Sequence, residues 1–179
     1  MAAMSSSAHG QIAAEPSAWI TQWARLVPTG AAVLDVACGH GRHARWFAAR
    51  GHAVDAVDRD PAAVGSLSSV QRASALCADI EGGPWPFGGR LYGAVVVANY
   101  LYRPLLPLMI EAVAPGGVLL YETFAVGNER YGRPGNPAFL LQPGELLEAV
   151  RGRLRVVAYE DIEVSEPRPA CIQRICAVR

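Results

Sequence analysis

Residues 33–44 read VLDVACGHGRHA, a short apolar strand that runs directly into a turn of small residues. Gly39 and Gly41 allow the backbone to bend sharply and to approach a ligand with no Cβ atom in the way. A helix is expected to begin at Gly41, so its free N–H groups and positive end would face the same point. The stretch therefore predicts a strand–loop–helix unit that binds a ligand at its loop.

Two classes of ligand fit this loop. Residues 39–44, GHGRHA, satisfy the Gly-x-Gly-x-x-Gly/Ala pattern of dinucleotide-binding loops, and Asp58 follows at the position of the acid that binds a ribose. Asp35, however, places a negative charge in the approach to the loop, where it would repel a pyrophosphate. A carboxylate there suits S-adenosylmethionine, which carries an ammonium and a sulfonium but no phosphate. The glycine pattern alone leaves both classes open.

Short apolar segments alternate with amphipathic ones along the chain, which predicts an α/β domain with a mainly parallel sheet. Asp60 is expected to cap a helix that begins at Pro61. A turn is predicted at 115–117. The expected strands are 32–37, 53–58, 74–78, 91–98 and 118–124, and the other expected helices are 16–26, 41–50, 104–114 and 143–150.

The last third of the chain departs from this alternation. Residues 125–142 are rich in Gly, Pro and Asn and predict a long loop, of the kind that is usually functional or mobile. Two strands near 154–163 and 170–178 are joined by a short Pro-containing segment, which favours an antiparallel hairpin. Residues 1–12 are expected to form a flexible tail, and residues 13–179 a single domain.

Composition excludes several kinds of protein. All 16 basic residues are arginine, so the chain has neither a Schiff-base lysine nor the lysine of a phosphate-binding loop. The 16 acidic residues balance them, and nothing in the net charge predicts binding to nucleic acid or to an anionic membrane. No apolar run reaches the ~18 residues that a membrane span requires.

The four cysteines have neither the density of a disulfide scaffold nor the spacing of a zinc site. They are Cys38, Cys77, Cys171 and Cys176. We therefore predict a cytoplasmic protein without a metal site, as a monomer or a homodimer.

The motifs together resemble those of the class I S-adenosylmethionine-dependent methyltransferases. Besides Asp35 and the glycines, the resemblance rests on Asp58, on Ala78-Asp79-Ile80 and on the Ala114-Pro115-Gly116-Gly117 turn. Asp35, the small size of the chain and the closing hairpin favour this class over a dehydrogenase. Within the class, residues 39–61 and 139–150 are similar to the tellurite-resistance methyltransferase group.

The resemblance implies a Rossmann-like three-layer sandwich with a seven-stranded, mostly parallel sheet whose last strand is antiparallel. It implies S-adenosyl-L-methionine as the cofactor. By position, the methionine part of the cofactor would contact Asp35, Ala37, Gly39 and Gly41, with Cys38 packed beneath it. The ribose would bind Asp58 with Arg59 alongside, and the adenine would meet Asp79 and the backbone of Ile80. Asn99 and Tyr100 would lie where the methyl group is transferred.

Tyr100, Tyr102 and Arg103 follow the fourth strand at its carboxyl end, where open α/β sheets bind ligands. We expect them to contact the substrate, although they could also simply wall the cleft. Residues 122–133 follow the fifth strand and are expected to face the same cleft. With Arg130 and Arg133 they could form a lid that clamps an anionic substrate, or a surface loop with solvated arginines. Arg168 and Arg174 of the final hairpin could add positive charge to the same cleft.

The predicted function is methyl transfer to a small-molecule acceptor, whose identity the sequence leaves open. Because such a displacement depends largely on alignment and on the exclusion of water, no catalytic acid or base is predicted. His40 and His43 are candidates for a base, with simple packing as the alternative. The alternative functions are a non-catalytic S-adenosylmethionine-binding regulatory protein, a partner-dependent nucleic-acid or protein methyltransferase, and a NAD-binding oxidoreductase.

Overall fold

The computed structural model describes residues 15–179. Seven strands form one sheet in the order β3-β2-β1-β4-β5-β7-β6, and β7 runs antiparallel to both of its neighbours. The seven-stranded sheet with an antiparallel last strand is thereby confirmed. The strands are β1 Val33–Val36, β2 Val54–Asp58, β3 Ala73–Cys77, β4 Tyr92–Ala98, β5 Val113–Phe124, β6 Arg155–Val164 and β7 Ala170–Val178.

Helices cover both faces of the sheet. One face packs against α1 and α2 through Trp19, Ile20 and Phe47, and the other packs against α4 and α5 through Met109 and Leu146. The centre of the sheet is therefore closed to water on both sides, and every residue of β1 is buried. The helices are α1 Ala18–Trp23, α2 Arg42–Ala48, α3 Pro61–Gly65, α4 Leu106–Glu111 and α5 Glu145–Val150.

The structure corrects several predicted boundaries. The predicted turn at 115–117 is a bulge inside a longer β5, because Gly116 adopts a positive φ of 76° and donates its N–H to the Arg179 carbonyl. The helix expected at 104–114 is shorter, since a 3-10 turn at Arg103–Leu105 precedes α4. The predicted cap of α3 is confirmed: the Asp60 side chain accepts a hydrogen bond from the Ala62 amide.

The long loop at 125–142 is anchored to the sheet. It contains two 3-10 turns, and an isolated bridge joins its ends at Ala125 and Leu141. The side chain of buried Asn128 donates to the Pro134 carbonyl and accepts from the Cys171 amide of β7. The loop is therefore fixed at both ends and across its first half.

The predicted tail at residues 1–12 lies outside the described residues. Between residues 15 and 179, no helix is both long and apolar enough to cross a membrane.

The bulge in β5 generates a stability prediction. A Cβ atom on Gly117 would lie 2.8 Å from the Tyr92 carbonyl oxygen and 2.9 Å from that of Ala114. Since both are backbone atoms, we expect Gly117→Ala to lower the free energy of unfolding by about 2 kcal/mol, or roughly 4–8 °C in Tm. Thermal unfolding measures this. The control is Gly65→Ala in α3, where a Cβ meets nothing within 4 Å and Tm should hold or rise.

Candidate active site

The turn after β1 is built on left-handed backbone conformations. Ala37, Gly39 and Gly41 have φ values of 52°, 53° and 71°. A Cβ atom on Gly41 would lie 2.4 Å from the Leu67 side chain, so this position requires glycine. Ala37 adopts the same conformation although it carries a Cβ atom, at a cost of about 1–2 kcal/mol. The chain thus folds sharply back towards α2.

Asp58 fixes this turn from the neighbouring strand. Its Oδ2 accepts a hydrogen bond of 2.7 Å from the Gly39 amide, and its Oδ1 accepts one of 2.9 Å from the Asp60 amide. The Cys38 amide donates to the Val57 carbonyl at 3.0 Å. Each carboxylate oxygen keeps a free lone pair, so Asp58 can hold the loop and still accept from a ligand.

Asp35 lies on the floor of a first cavity of about 310 Å³, which is also lined by Ala37, Cys38, Gly39 and Asn99. Its side chain is 2% exposed, and its Oδ2 accepts a hydrogen bond from the Ala44 amide at 2.9 Å. Burial raises its pKa to about 7, although the Ala44 amide and the Arg42 charge oppose the shift. Asp35 is therefore an acid whose charge a bound cation would stabilise.

A second cavity of about 320 Å³ lies at the ends of β2 and β4. Asp79 stands at its wall, where hydrogen bonds from the Gly82 and Glu81 amides to Oδ1 hold its pKa below the usual range. Phe139, from the long loop, also lines this cavity and is half exposed. The cavity is also lined by Ala37, Asp58, Arg59, Ala78, Ile80, Glu81, Asn99, Tyr100 and Leu101.

A third cavity of about 380 Å³ lies between α1 and the closing hairpin. Its walls include Trp19, Arg42, Glu122 and Phe124, and Arg168 and Arg174 line it as well. Asn99 borders all three cavities, which therefore adjoin one another, and we refer to the three together as the cleft. Glu122 and Phe124 belong to the segment 122–133 that was expected to face the cleft, whereas Trp19 and Phe139 were not predicted as site residues.

Two residues predicted to contact the substrate lie outside this cleft. The Arg103 guanidinium makes hydrogen bonds within the protein: it binds the Glu145 carboxylate at 2.6 Å and the Ala138 and Leu140 carbonyls at 2.9 Å. Arg130 donates to the Gly127 carbonyl and to Glu163, as part of the loop anchor. Neither side chain lines any of the three cavities.

Of the two tyrosines that follow β4, Tyr100 lines the cleft and Tyr102 lines none of its three cavities. Tyr100 lines the second cavity, and its hydroxyl is buried without a hydrogen-bond partner in the described part of the chain. Burial and then the charge of Glu81 raise its pKa above the ordinary value. Tyr102 donates its hydroxyl to the Glu81 carbonyl at a long 3.4 Å.

Burial removes the two best candidates for acid–base or nucleophilic chemistry near the loop. The pKa of the Cys38 thiol is raised far above its usual value, mainly by burial and then by the charges of Asp35 and Asp58. The pKa of His43 is lowered to about 3 by burial and by the Arg42 charge. Its neutral ring accepts a hydrogen bond at Nε2 from the Ser17 amide, which ties α1 to α2. No group of three or more His, Cys, Asp or Glu side chains within 15–179 could hold a metal ion.

Part of this site lies in a segment that is similar to a known protein family. Residues 33–117, just under half of the chain, match a family model described as a methyltransferase domain. The match contains Asp35, Asp58, Asp79 and Asn99. No curated protein sequence matches the chain. The predicted resemblance to methyltransferases is therefore confirmed over this segment.

Among solved structures, the chain is similar to TehB from Haemophilus influenzae, with a TM-score of 0.74 and 18% identity over 89% of this chain and 61% of that one. It is also similar to a TehB-like S-adenosylmethionine-dependent methyltransferase from Corynebacterium glutamicum, with a TM-score of 0.64 and 19% identity over 88% and 86%.

A third similar structure is coclaurine N-methyltransferase bound to N-methylheliamine and S-adenosylhomocysteine, with a TM-score of 0.64 and 16% identity over 80% and 50%. The chain thus spans less than two thirds of the Haemophilus protein and half of the coclaurine enzyme. At these identities the likenesses show the shared fold.

The buried histidine gives a pH-dependent prediction. The unfolded chain binds a proton at His43 below pH 6.5, whereas the folded chain binds it only near pH 3. His43 therefore contributes stability that is present above pH 6.5 and is lost as the pH falls, by at most about 1.4 kcal/mol per pH unit. In urea unfolding from pH 4 to 8, the advantage of wild type over His43→Gln should grow up to pH 6.5 and then level off. Parallel profiles would contradict the neutral, buried state of His43.

Proposed function

We propose that the chain is an S-adenosylmethionine-dependent methyltransferase that acts on a small-molecule acceptor. The observation that carries the proposal is the arrangement of the cleft: Asp35, Asp58 and Asp79 lie on or just after neighbouring strands around the first two cavities, and Asn99, which borders both, also borders the third cavity. One part of the cleft suits a long cofactor, and the other suits an acceptor.

The residues present fit this cofactor. Asp35 offers a carboxylate to the ammonium of the methionine part, beside Ala37, Cys38, Gly39 and Gly41. The same charge in the first cavity disfavours the pyrophosphate of a dinucleotide. The ribose hydroxyls would donate to Asp58, with Arg59 alongside, and the adenine edge would meet Asp79 and the backbone of Ile80. Asn99 would lie near the methyl group that is transferred.

The bound cofactor supplies an electrophilic methyl group. The chain's own residues then have to hold the acceptor in line with that group and keep water out, which alone lowers the barrier substantially. The rigid turn held by Asp58 and the strained backbone at Asn99, with φ at 56°, suit this task because both fix positions at the centre of the cleft.

A small acceptor is supported by the third cavity. Its volume of about 380 Å³ is within the range of small-molecule sites, and its walls combine apolar and charged side chains. The net charge of zero offers no attraction to nucleic acid. The coclaurine enzyme, which shares the fold, is bound to a small molecule in its structure.

The first test of this proposal is ligand choice. S-adenosylhomocysteine should raise the Tm of the purified protein, whereas NAD should not, because the first cavity carries a buried acid in place of a phosphate site. Stabilisation by NAD alone would overturn the proposal and favour an oxidoreductase.

Asp58 should dominate the affinity for the ribose. We expect Asp58→Ala to weaken S-adenosylhomocysteine binding at least tenfold, since it removes charge-assisted hydrogen bonds to the ligand and releases Gly39. Isothermal titration calorimetry measures the loss. Asp60→Ala is the matched control: it removes a neighbouring carboxylate that caps α3, so it should lower stability but leave affinity unchanged. Equal affinities for wild type and Asp58→Ala would exclude Asp58 from the site.

Asp35 predicts that cofactor affinity depends on pH. Because its pKa is about 7, the Asp35 carboxyl group is mostly protonated below pH 7 and must lose that proton when it pairs with the ammonium of the ligand. The Kd for S-adenosylhomocysteine should therefore fall by up to about tenfold per unit as the pH rises from 5 to 7, and then level off. Asp35→Asn cannot ionise and should bind weakly, with a nearly flat profile. A flat wild-type profile would show that Asp35 does not pair with the ligand.

A further inference from the structure

Glu122 is a half-buried carboxylate with no assigned task. It stands near the carboxyl end of β5 and lines the third cavity. Within residues 15–179, no group donates a hydrogen bond to its carboxylate and no cation pairs with it, whereas half-buried Asp55 and Glu145 are both paired with arginines. A partly buried carboxylate that is left free inside a cavity is available to a ligand.

The neighbouring strands explain why Glu122 remains free. Arg174 of β7 lies directly opposite Glu122, and Glu160 of β6 lies opposite Arg174, so the three form a row across the sheet. Arg174 binds Glu160 through Nε at 2.6 Å and Nη2 at 2.5 Å, and its guanidinium stacks over Trp19 at 4.8 Å. The arginine is thus held by Glu160 and Trp19, and no ion pair joins it to Glu122.

The position of Glu122 is fixed next to the junction of the cleft. The Asn99 amide donates to the Glu122 carbonyl at 3.0 Å, and Asn99 is the residue that borders all three cavities. Glu122 therefore lies on the strand beside Asn99, where the third cavity adjoins the proposed cofactor cavities. On the proposed function, an acceptor in the third cavity would meet the methyl group near Asn99, and so near Glu122.

We propose that Glu122 is a catalytic base that receives the proton of a protic acceptor, such as a small amine, alcohol or thiol. This inference rests on the proposed methyltransferase function. In the reaction, the acceptor atom forms a bond to the methyl carbon as the carbon–sulfur bond breaks, and the electron pair of that bond stays on sulfur. The proton of the acceptor passes to the Glu122 carboxylate and then to solvent, so charge and atoms balance.

Sinefungin tests this position without knowledge of the acceptor. This S-adenosylmethionine analogue carries an ammonium where the cofactor carries its sulfonium methyl group, whereas S-adenosylhomocysteine carries nothing there. The wild-type protein should bind sinefungin more tightly than S-adenosylhomocysteine. Glu122→Gln should lower that preference about tenfold or more, because it removes the charge that faces the ammonium, and should leave the Kd for S-adenosylhomocysteine unchanged.

Glu166→Gln is the matched control, because Glu166 lines the same cavity from the hairpin and the substitution removes the same charge. It should retain the wild-type preference for sinefungin. An equal loss in both variants would mean a general electrostatic effect and would overturn the inference.

The outcomes separate the two proposals. If the wild-type protein binds neither ligand, the methyltransferase proposal itself fails. If S-adenosylhomocysteine binds but Glu122→Gln leaves the preference intact, only the assignment of Glu122 fails. Loss of S-adenosylhomocysteine binding in Glu122→Gln would also overturn it, since Glu122 would then serve the cofactor or the fold.

Discussion

The hydrogen bond from the Gly39 amide to the Asp58 carboxylate is the contact on which the cleft depends. It joins the end of β1 to the end of β2, and it stabilises the left-handed backbone conformations of the turn. Because the strands are parallel, this contact places the first and second cavities side by side at one edge of the sheet. The Asp58 carboxylate thus fixes the loop, and its remaining lone pairs can accept hydrogen bonds from a ligand.

Burial next to this turn sets the charge of the neighbouring groups. Asp35 and His43 both line the first cavity, and burial shifts both towards their neutral forms. Between about pH 4 and 6.5, folding therefore binds a proton at one group and releases one at the other, so their effects on stability oppose each other. Asp35 can therefore lie buried in the floor of the cleft, available to pair with a cation, without a large pH-dependent loss of stability.

Much of the fold could be predicted from local sequence. The apolar runs that became β1, β2 and β4, the Asp60 cap and the glycine turn depend on neighbouring residues, and each was predicted close to its observed place. The long loop was also located, but its anchoring was not. Boundaries were less accurate where β5 includes its bulge, because that register depends on contacts with β4 and with the chain's end.

Contacts between distant segments decide the positions of the site residues that could not be predicted from the sequence. Arg103 was expected at the substrate, but it pairs with Glu145, which lies 42 residues further along the chain. No local pattern predicts such a pair. Phe139 and Trp19 looked like a loop residue and a core residue, and only the tertiary fold brings them to the cleft.

The two halves of the cleft also differ in what they share with other proteins. The turn, Asp58, Asp79 and Asn99 lie within residues 33–117, the segment that matches the methyltransferase domain. The third cavity takes Arg42 and Asn99 from that segment, but its other walls come from α1, the end of β5 and the closing hairpin, which lie outside it. A shared cofactor requires a constant binding surface, whereas acceptors differ between enzymes. The acceptor is therefore to be sought at the side chains around Glu122, which lie outside the segment that matches the methyltransferase domain.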